Sequence, residues 1–291
     1  MKTILIIDDV SINIKILVDL LSDKYDVIIA LSGLEALEVL KQSSIDLILL
    51  DIMMPNIDGY EVCKKLKQND KTKNIPIIFI TAKIDEDSIE KAYEVGGVDY
   101  VTKPFKPREL LARVKMQLDL QETIKHLEYI SSYDQLTNIY NRRKFFELAD
   151  LMFKNKKQNL YAIMIDIDRF KSINDTYGHD VGDKVISILA KTLNDMIDEN
   201  SVLGRLGGEE FAILCHIKDQ NSVKKRVEEI RKTVQEIEVF TDENQLIQFT
   251  ISTGISKYKQ EFLNIDQFLK EADNALYEAK GTGRNKTIFR D

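Results

Sequence analysis

The chain has 291 residues, of which 44% are hydrophobic and 31% are charged, as in ordinary globular proteins. At roughly 100–200 residues per domain, this length predicts two domains that can each bury a core. The net charge of −7 argues against a general nucleic-acid binder, which needs a basic surface, but permits a small phosphorylated ligand held by a few local cations.

The cysteines and the apolar runs indicate a cytoplasmic protein. Cys63 and Cys215 lie far apart in sequence, which fits neither a disulfide framework nor a zinc pattern and suits a reducing compartment. The first apolar run leads directly into Asp8 and is too short for a signal peptide. No window approaches the roughly 18 apolar residues of a membrane span, so we expect no membrane insertion.

Short apolar runs alternate with helical patterns over the first third of the chain, which predicts βα units and a parallel sheet. Amphipathic segments such as 59–68 and 86–95 separate the runs. Ligands of such sheets bind beyond the carboxyl ends of the strands. The five predicted strands are 3–7, 26–30, 46–50, 76–80 and 99–101.

A single long helix is predicted over 107–132, because no Gly or Pro follows Pro107 there. This length exceeds that of an average helix. The pattern leaves two interpretations open, which are coiled-coil pairing between two chains and packing of the helix on its own domain. The residues that lie roughly on one stripe are Leu111, Val114, Leu118, Gln121, Ile124 and Leu127.

The second half of the chain has the element order of an α+β domain with an antiparallel sheet. A strand over 160–166 is followed by helices near 169–175 and 182–197, two strands around Gly207-Gly208, and a helix over 222–237. A strand that alternates at period two follows, with Ile247, Ile251 and Ile255 on one face. The final helix, 265–280, ends at glycines.

Acidic side chains follow the strands of the first half. Asp8 and Asp9 come after the first strand and Asp51 after the third, so neighbouring positions in the sheet would bring them together. Clustered carboxylates repel one another unless a hard divalent cation binds between them. Thr81 ends the fourth strand and Lys103 follows the fifth, which suits phosphoryl transfer to Asp51. An Asp after a strand is more often a helix N-cap when it occurs alone.

These residues stand in four motifs, which are Ile6-Ile7-Asp8-Asp9, Asp51-Ile52-Met53-Met54-Pro55 with Asp58-Gly59, Thr81-Ala82, and Asp99-Tyr100-Val101-Thr102-Lys103-Pro104-Phe105. Residues 1–121 therefore resemble a response-regulator receiver domain. The resemblance implies a flavodoxin-like, doubly wound α/β fold that receives phosphate from a cognate histidine kinase. It implies Asp51 as the phosphoacceptor, Asp8, Asp9, Asp51 and the Met53 carbonyl as Mg²⁺ ligands, Thr81 and Tyr100 as the switch pair, and Lys103 as the phosphate contact.

A second acidic constellation lies in the other half. Asp166 and Asp168 are two apart on an extended segment and point the same way. Gly207-Gly208 predicts a tight hairpin of type I′, in which both central positions need positive φ. If the two loops lie side by side, Asp166 and Glu209 form an oxygen-rich pocket for Mg²⁺ or Mn²⁺. An acidic turn alone is more often just a solvated hairpin.

The sequence from about residue 134 to 291 resembles the GGDEF-domain diguanylate cyclases, with the variant Gly207-Gly208-Glu209-Glu210-Phe211. The resemblance implies a nucleotide-cyclase or palm-like fold. The supporting motifs are Asp134-Gln135-Leu136-Thr137 with Asn141-Arg142-Arg143, Asp166-Ile167-Asp168-Arg169-Phe170-Lys171, Ile173-Asn174-Asp175, Gly178-His179-Asp180-Val181-Gly182-Asp183, and Leu276-Tyr277-Glu278-Ala279-Lys280 with Gly283-Arg284-Asn285.

The resemblance also implies the roles of individual residues. Asp166, the Ile167 carbonyl and Glu209 would hold the metal. Asn174 and Asp183 would bind guanine, with His179 in the same pocket, since a carboxylate can accept from both the ring N–H and the exocyclic amine of guanine. Glu209 would accept the proton of the 3′-hydroxyl and Glu210 would assist. The triphosphate contacts would be Lys171, Lys280 and Arg284.

One stretch departs from the family. The product-inhibition motif Arg-x-x-Asp, five residues before the double Gly, is replaced here by Asp198-Glu199-Asn200-Ser201. Because the charge at its first position is reversed, we expect weak or no feedback inhibition through this site.

The sequence thus predicts a phosphorylation-regulated diguanylate cyclase that condenses two GTP molecules as a homodimer, with Mg²⁺ or Mn²⁺ in both domains. Its predicted parts are the receiver domain 1–121, a connecting helix 107–132 and the cyclase domain 133–291. Two alternatives are a non-catalytic module with a degenerate nucleotide site and a cyclase that uses ATP. The presence of Asp166 and Glu209 argues against the first, and Asp183 argues against the second.

Overall fold

The structure is a computed structural model that describes residues 1–82, 86–155, 159–241 and 243–290. It divides into two compact units, Met1–His126 and Leu127–Asp291. In the part of the chain that is described, no helix combines the length and the apolarity that a membrane span requires.

The first unit contains one parallel five-stranded sheet in the order β2-β1-β3-β4-β5. This is the predicted doubly wound α/β fold. The strands are β1 (Thr3–Ile7), β2 (Asp26–Ala30), β3 (Leu47–Asp51), β4 (Ile77–Thr81) and β5 (Asp99–Thr102), and the helices are α1 (Ser11–Leu21), α2 (Gly33–Gln42), α3 (Gly59–Lys67), α4 (Glu86–Glu94) and α5 (Pro107–Ser132).

Local chemistry explains where these elements begin. Both β3 and β4 are buried along their whole length, as expected for central strands of a sheet that is covered on both faces. Asp58 caps α3 by accepting a hydrogen bond from the amide of Glu61. Gly59 lies so close to the end of β3 that a Cβ atom there would stand 2.2 Å from the carbonyl oxygen of Asp51. Glycine at this position therefore lets α3 start beside the acidic end of β3.

The six residues of the stripe predicted along α5 do not share one environment. Val114 and Leu118 are buried in the core of the first unit, where Leu111 packs partly against them. Ile124 and Leu127 are exposed. Their exposed apolar neighbours are Met116 and Leu120, so the exposed stripe has a different register from the predicted one.

The second unit contains a six-stranded mixed sheet in the order β13-β12-β7-β9-β8-β6. Its three central pairings are antiparallel and its two outer pairings are parallel, which fits the predicted, mainly antiparallel α+β fold. Its strands are β6 (Tyr140–Asn141), β7 (Leu160–Ile167), β8 (Val202–Gly207), β9 (Glu210–His216), β12 (Ile251–Lys257) and β13 (Thr287–Arg290), and β10 (Val239–Phe240) pairs separately with β11 (Leu246–Ile247).

Helices cover both faces of this sheet. The apolar residues of α7 (Phe170–Tyr177), α8 (His179–Met196) and α9 (Gln220–Gln235) join one core, and those of α6 (Arg142–Lys154) and α10 (Ile265–Gly281) join the other. The alternation predicted around Ile251 is real, since Ile247, Ile251 and Ile255 enter the first core. The strand itself starts only at Ile251, because residues 248–250 lie outside the ladder.

The hairpin between β8 and β9 differs from the prediction. Gly207 is the last residue of β8 and pairs with Glu210, so the two turn residues are Gly208 and Glu209. Gly208 has a φ of 51°, whereas Glu209 does not have a positive φ. The type I′ prediction is therefore wrong, because such a turn needs positive φ at both central positions. A register shift between Arg205 and Gly207 moves the turn by one residue.

Candidate functional site

The carboxyl ends of β1 and β3 bring the three acidic residues of the first unit together. One carboxylate oxygen from each of Asp8, Asp9 and Asp51 lies within 4.8 Å of the others. Asp8 and Asp51 are buried, and Asp9 is exposed. Two buried carboxylates at this spacing repel each other, and three oxygen donors at one sheet edge suit a hard divalent cation such as Mg²⁺.

Lys103 lies between the two buried carboxylates. Its Nζ is 2.9 Å from Oδ2 of Asp51 and 3.0 Å from Oδ2 of Asp8. Burial raises the pKa of Asp51 above its usual range, and the hydrogen bond from Lys103 only partly opposes this. Burial lowers the pKa of Lys103, but the hydrogen bonds to Asp51 and Asp8 outweigh it and the pKa is raised. Asn13, which belongs to none of the sequence motifs, donates to both oxygens of Asp8.

The predicted switch residues lie at the ends of the neighbouring strands. Thr81 is buried at the end of β4, and Tyr100 is half-buried on β5. The Tyr100 ring meets the Tyr93 ring edge-on at 6.4 Å between centroids. Arg113 of α5 lies 5.8 Å from the centre of the same ring and donates to Asp99 at 2.6 Å. Met53 is exposed after β3.

In the second unit, Asp166 lies near the end of β7 and pairs across the ladder with Glu210. It is buried, and its Oδ2 is 2.7 Å from Nζ of Lys280, a residue of α10. Burial raises the pKa of Asp166 to about 6, Lys280 opposes the shift, and the charges of Glu209 and Glu210 add to it. The structure thus brings together the carboxylate, the ammonium and the acidic turn that the sequence suggested separately.

Ile167 is the last residue of β7, buried and in register with Ile251 of β12. Asp168 follows and is also buried. Its carboxylate accepts hydrogen bonds from the hydroxyls of Thr250 at 2.7 Å and Ser252 at 2.6 Å, and from the backbone amide of Asn285 at 2.9 Å. Neither the sequence pattern nor the family resemblance assigns Asp168 a role. Its partners lie more than 80 residues away, so no local pattern could have indicated them.

Asn174 packs against the first turn of α8. Its Oδ1 is a buried side-chain oxygen without a hydrogen-bond partner in the described residues. Gly182 makes room for this atom, because a Cβ there would stand 1.9 Å from it. An unpaired buried acceptor is costly unless a water or a ligand supplies the missing donor. Gly182 and Asn174 therefore shape one polar position between α7 and α8.

The other predicted contacts are exposed side chains around this centre. Lys171 lies on α7, His179 is the first residue of α8, and Asp183 follows one turn later. Asp183 lines a cavity of about 460 Å³ together with Leu136. Arg284 follows α10 with a φ of 62°.

The segment that replaces the product-inhibition motif lies before β8. Asp198 is 3.5 Å from Nη1 of Arg226, so its charge has a cationic neighbour of its own. Glu199 and Ser201 line a cavity of about 360 Å³ with it. Acidic groups at this position offer no direct charge complement to an anionic dinucleotide.

A parallel five-stranded sheet with acidic carboxyl ends, followed along the chain by a mixed sheet with an acidic hairpin, defines a receiver domain joined to a nucleotide-cyclase-like domain. Comparison with family models agrees: "Response regulator receiver domain" matches residues 4–115, and "Diguanylate cyclase, GGDEF domain" matches residues 131–286, more than half of the chain. The chain belongs to the GGDEF-domain family of diguanylate cyclases, in its response-regulator form.

Individual relatives support this assignment. The response regulator PleD of Caulobacter vibrioides is 32% identical over 256 residues, which cover 84% of this chain and 56% of PleD. The probable diguanylate cyclase DgcT of Escherichia coli is 41% identical over 220 residues, which cover 75% of this chain and 46% of DgcT. The chain spans about half the length of these curated relatives.

Solved structures agree on the fold of the second unit. The coiled coil and GGDEF domain of DgcB from Caulobacter crescentus, in complex with c-di-GMP, superposes with a TM-score of 0.59. The two chains are 28% identical, and the match covers 63% of this chain and 98% of that one.

Proposed function

We propose that the protein is a diguanylate cyclase that condenses two GTP molecules into cyclic di-GMP and releases two pyrophosphates. Each 3′-hydroxyl attacks the α-phosphorus of the other GTP. A new P–O bond forms there, the bond to the β-phosphate breaks, and the hydroxyl proton passes to Glu209, which Glu210 assists. The family assignment and the named relatives support the reaction class.

The position of Asp166 carries this proposal. It is a buried carboxylate beside Glu209 of the turn and Glu210 of β9, and burial raises its pKa to about 6. Burial beside a cluster of like charges is an arrangement that shifts carboxylate pKa values at functional sites. Asp166, Glu209 and the carbonyl of Ile167 would hold Mg²⁺ or Mn²⁺. The bound cation would lower the pKa of the attacking hydroxyl and neutralise phosphate charge.

Guanine recognition rests on the position between α7 and α8. The unpaired Oδ1 of Asn174 accepts from the exocyclic amine of guanine, and the carboxylate of Asp183 accepts from the ring N–H. His179 lies at the start of the same helix. Adenine lacks this donor pair, which favours GTP over ATP.

Three cationic side chains bind the triphosphate in this proposal. Lys280 is already 2.7 Å from Asp166, so a phosphate bound through a cation at Asp166 comes within its reach. Lys171 acts as a second point charge from α7. Arg284 offers the planar fork that binds phosphate oxygens in pairs.

Regulation is proposed to begin at Asp51, which a histidine kinase would phosphorylate with Mg²⁺ bound by Asp8, Asp9, Asp51 and the Met53 carbonyl. Lys103, already 2.9 Å from Asp51, then contacts the phosphate. Phosphate attracts the hydroxyl of Thr81, and Tyr100 follows into the vacated space. Asp51→Asn should abolish any change in activity or oligomeric state that a phosphodonor causes, and an unchanged response would contradict this coupling.

Dimerisation is proposed through the exposed stripe of α5, which consists of Met116, Leu120, Ile124 and Leu127. Its spacing of three to four residues is that of a coiled-coil seam. Two GTP-loaded sites must meet to close a two-fold symmetric product, so a monomer would be inactive. Leu120→Lys combined with Leu127→Lys should give a monomer by light scattering and lower the specific activity. Glu122→Lys places the same charge on the opposite face of the helix and should leave the dimer intact.

One incubation distinguishes the proposed cyclase from the two alternatives, a non-catalytic module and a cyclase that uses ATP. Purified protein with Mg²⁺ and GTP should yield cyclic di-GMP and pyrophosphate in a 1:2 ratio, and ATP should yield no cyclic dinucleotide. Asp166→Asn and Glu209→Gln should each reduce the rate by a factor on the order of 100 or more. Binding of GTP without product, at every protein concentration and with a phosphodonor present, would favour the non-catalytic module.

Product inhibition should be weak. In the segment 198–201, Asp198 stands where the family motif has its arginine, and Ser201 stands where the motif has its aspartate. Submicromolar binding of cyclic di-GMP that is lost on mutating this segment would contradict the proposal.

A further inference from the structure

The end of α5 carries three tyrosine rings that belong to neither proposed metal site. Tyr129 and Tyr133 lie one helical turn apart, and their rings stack with centroids 4.9 Å apart and planes inclined by 22°. Tyr133 also meets the ring of Tyr140 on β6 at 5.1 Å and forms an antiparallel bridge with that residue. Aromatic rings attract one another at these separations. These three rings, here called the tyrosine joint, therefore connect the end of α5 to the first strand of the second unit.

Hydrogen bonds fix the same helix end. The last carbonyl groups of a helix have no partner within it and must find one elsewhere. The carbonyl of Ser131 accepts hydrogen bonds from Nδ2 of Asn141 at 2.9 Å and from Nε of Arg143 at 3.2 Å. The hydroxyl of Tyr129 donates to Oδ1 of Asn138 at 2.6 Å. Because rings and hydrogen bonds hold the helix end at several points, they oppose both bending and rotation of the helix there.

The path from the tyrosine joint to the proposed catalytic turn is short. β6 pairs with β8, and β8 leads into the turn that carries Glu209. Arg205 of β8 donates from Nη1 to Oδ1 of Asp134, the residue after Tyr133, at 3.0 Å. Its Nε donates to the carbonyl of Gly208 at 2.9 Å. One guanidinium group therefore connects the end of α5 to the residue next to Glu209.

The rings of the tyrosine joint are not deeply buried. Tyr133 and Tyr140 are half-buried and line a cavity of about 360 Å³, and Tyr129 is 41% exposed. Truncation of a side chain costs most stability where the side chain is fully buried in a packed core. Removal of one of these rings should therefore loosen the tyrosine joint and leave the second unit folded.

We propose that Tyr133 is a positioning residue for the cyclase reaction and acts through the direction in which α5 enters the second unit. The inference rests on the proposed function. Condensation needs two GTP-loaded sites at bond-forming distance, and a stiff joint restricts the orientations that the two cyclase units of a dimer sample. Binding of GTP needs only one unit. The tyrosine joint therefore governs kcat and has little influence on the KM for GTP.

Steady-state kinetics of the full chain test this role. Tyr133→Ala should lower kcat about 10-fold or more, with an unchanged KM for GTP and an unchanged dimer by light scattering. Tyr133→Phe keeps the ring and should retain the wild-type kcat. The control Phe262→Ala removes another stacked ring, 5.5 Å from that of Phe268 near the start of α10, and should leave kcat unchanged.

A distance measurement tests the tyrosine joint without catalysis. Cys63 and Cys215 are buried, so spin labels attach selectively after the substitutions Thr123→Cys on α5 and Lys225→Cys on α9, which both replace exposed residues. Labelled chain is diluted with unlabelled chain, so that the two labels of one chain are measured. Tyr133→Ala should broaden the distribution of distances between the labels, and Tyr133→Phe should not.

Each outcome decides the proposal. An unchanged kcat in Tyr133→Ala, or a loss of kcat with an equal rise in KM, would overturn the positioning role. An equally narrow distance distribution in Tyr133→Ala would overturn the stiff joint. If Tyr133→Ala is unfolded at the assay temperature, Tyr133→Leu, which fills the space without an aromatic ring, takes its place with the same expected results. If the wild type forms no cyclic di-GMP, the proposed function fails, and the distance distributions still decide whether Tyr133 stiffens the joint.

Discussion

Replacing Asp166 by asparagine should stabilise the metal-free protein while it removes the proposed cyclase activity. Asp166 is 5% exposed, and burial raises its pKa from 3.8 to about 6, with Lys280 only partly opposing the shift. The folded state therefore prefers the protonated carboxyl. The contribution of the protonated Asp166 carboxyl to stability is fully present below pH 4 and is lost as the pH rises through 6.

The magnitude follows from the shift. A displacement of about two pKa units corresponds to roughly 3 kcal/mol at about 1.4 kcal/mol per unit. This net shift already includes the opposing ion pair with Lys280, so it is an upper bound on the gain, and asparagine reproduces only part of the hydrogen bonding of the protonated carboxyl. We therefore expect Asp166→Asn to gain about 1–2 kcal/mol above pH 6, or a melting temperature about 4 °C higher for a unit of this size.

Calorimetry of the full chain in EDTA at pH 4, 5, 6 and 7.5 measures this difference. The advantage of Asp166→Asn over the wild type should be absent near pH 4 and complete above pH 6. Asp195→Asn makes the same change in charge at an exposed position of α8 and should alter stability by less than about 0.5 kcal/mol at every pH. An Asp166→Asn protein less stable than the wild type at pH 7.5 would refute the reasoning, because the ion pair with Lys280 would then outweigh the cost of burial.

Further substitutions test the packing and the proposed guanine position. Gly254→Ala should lower the free energy of unfolding in urea by about 3 kcal/mol or more, because the new Cβ would stand 2.1 Å from a backbone oxygen of α10. The control Gly281→Ala, with open space around the new Cβ, should be neutral or slightly stabilising. Leu118→Ala should destabilise the first unit by about 2–4 kcal/mol because the side chain is buried, while Leu127→Ala, 60% exposed, should cost under about 0.5 kcal/mol in dilute solution. Gly182→Ala should raise the KM for GTP about 10-fold without unfolding the protein, since its Cβ would displace the amide at 1.9 Å; an unchanged KM would contradict the assigned guanine position.

Much of the fold was predictable because its signals are local. The bounds of β1 and β2 follow directly from apolar runs that end at polar residues. The acidic edge of the first sheet was predictable as well, because the carboxyl ends of parallel strands must meet on one side, whatever their order. Asp8, Asp9 and Asp51 accordingly lie together.

The turn between β8 and β9 could not be assigned from the dipeptide Gly207-Gly208. A pair of glycines permits positive φ at both positions, but the register shift after Arg205 decides which residues form the turn. Likewise, the spacing along α5 fitted more than one stripe. Only packing in the core decided that Val114 and Leu118 face inward and that Leu120 faces out.

The sequence by itself thus determined which chemical groups stand at the ends of the strands, since strand period and strand ends are encoded by neighbouring residues. Tertiary structure decided which of those groups meet. Asp166 and Asp168 look equivalent in the sequence, yet one pairs with Lys280 and the other is saturated by Thr250, Ser252 and Asn285. The physical reason is that these partners come from β12 and the residue before it, from α10 and from the turn after α10, and only the pairing register of β7 with β12 and the packing of α10 bring them to the end of β7.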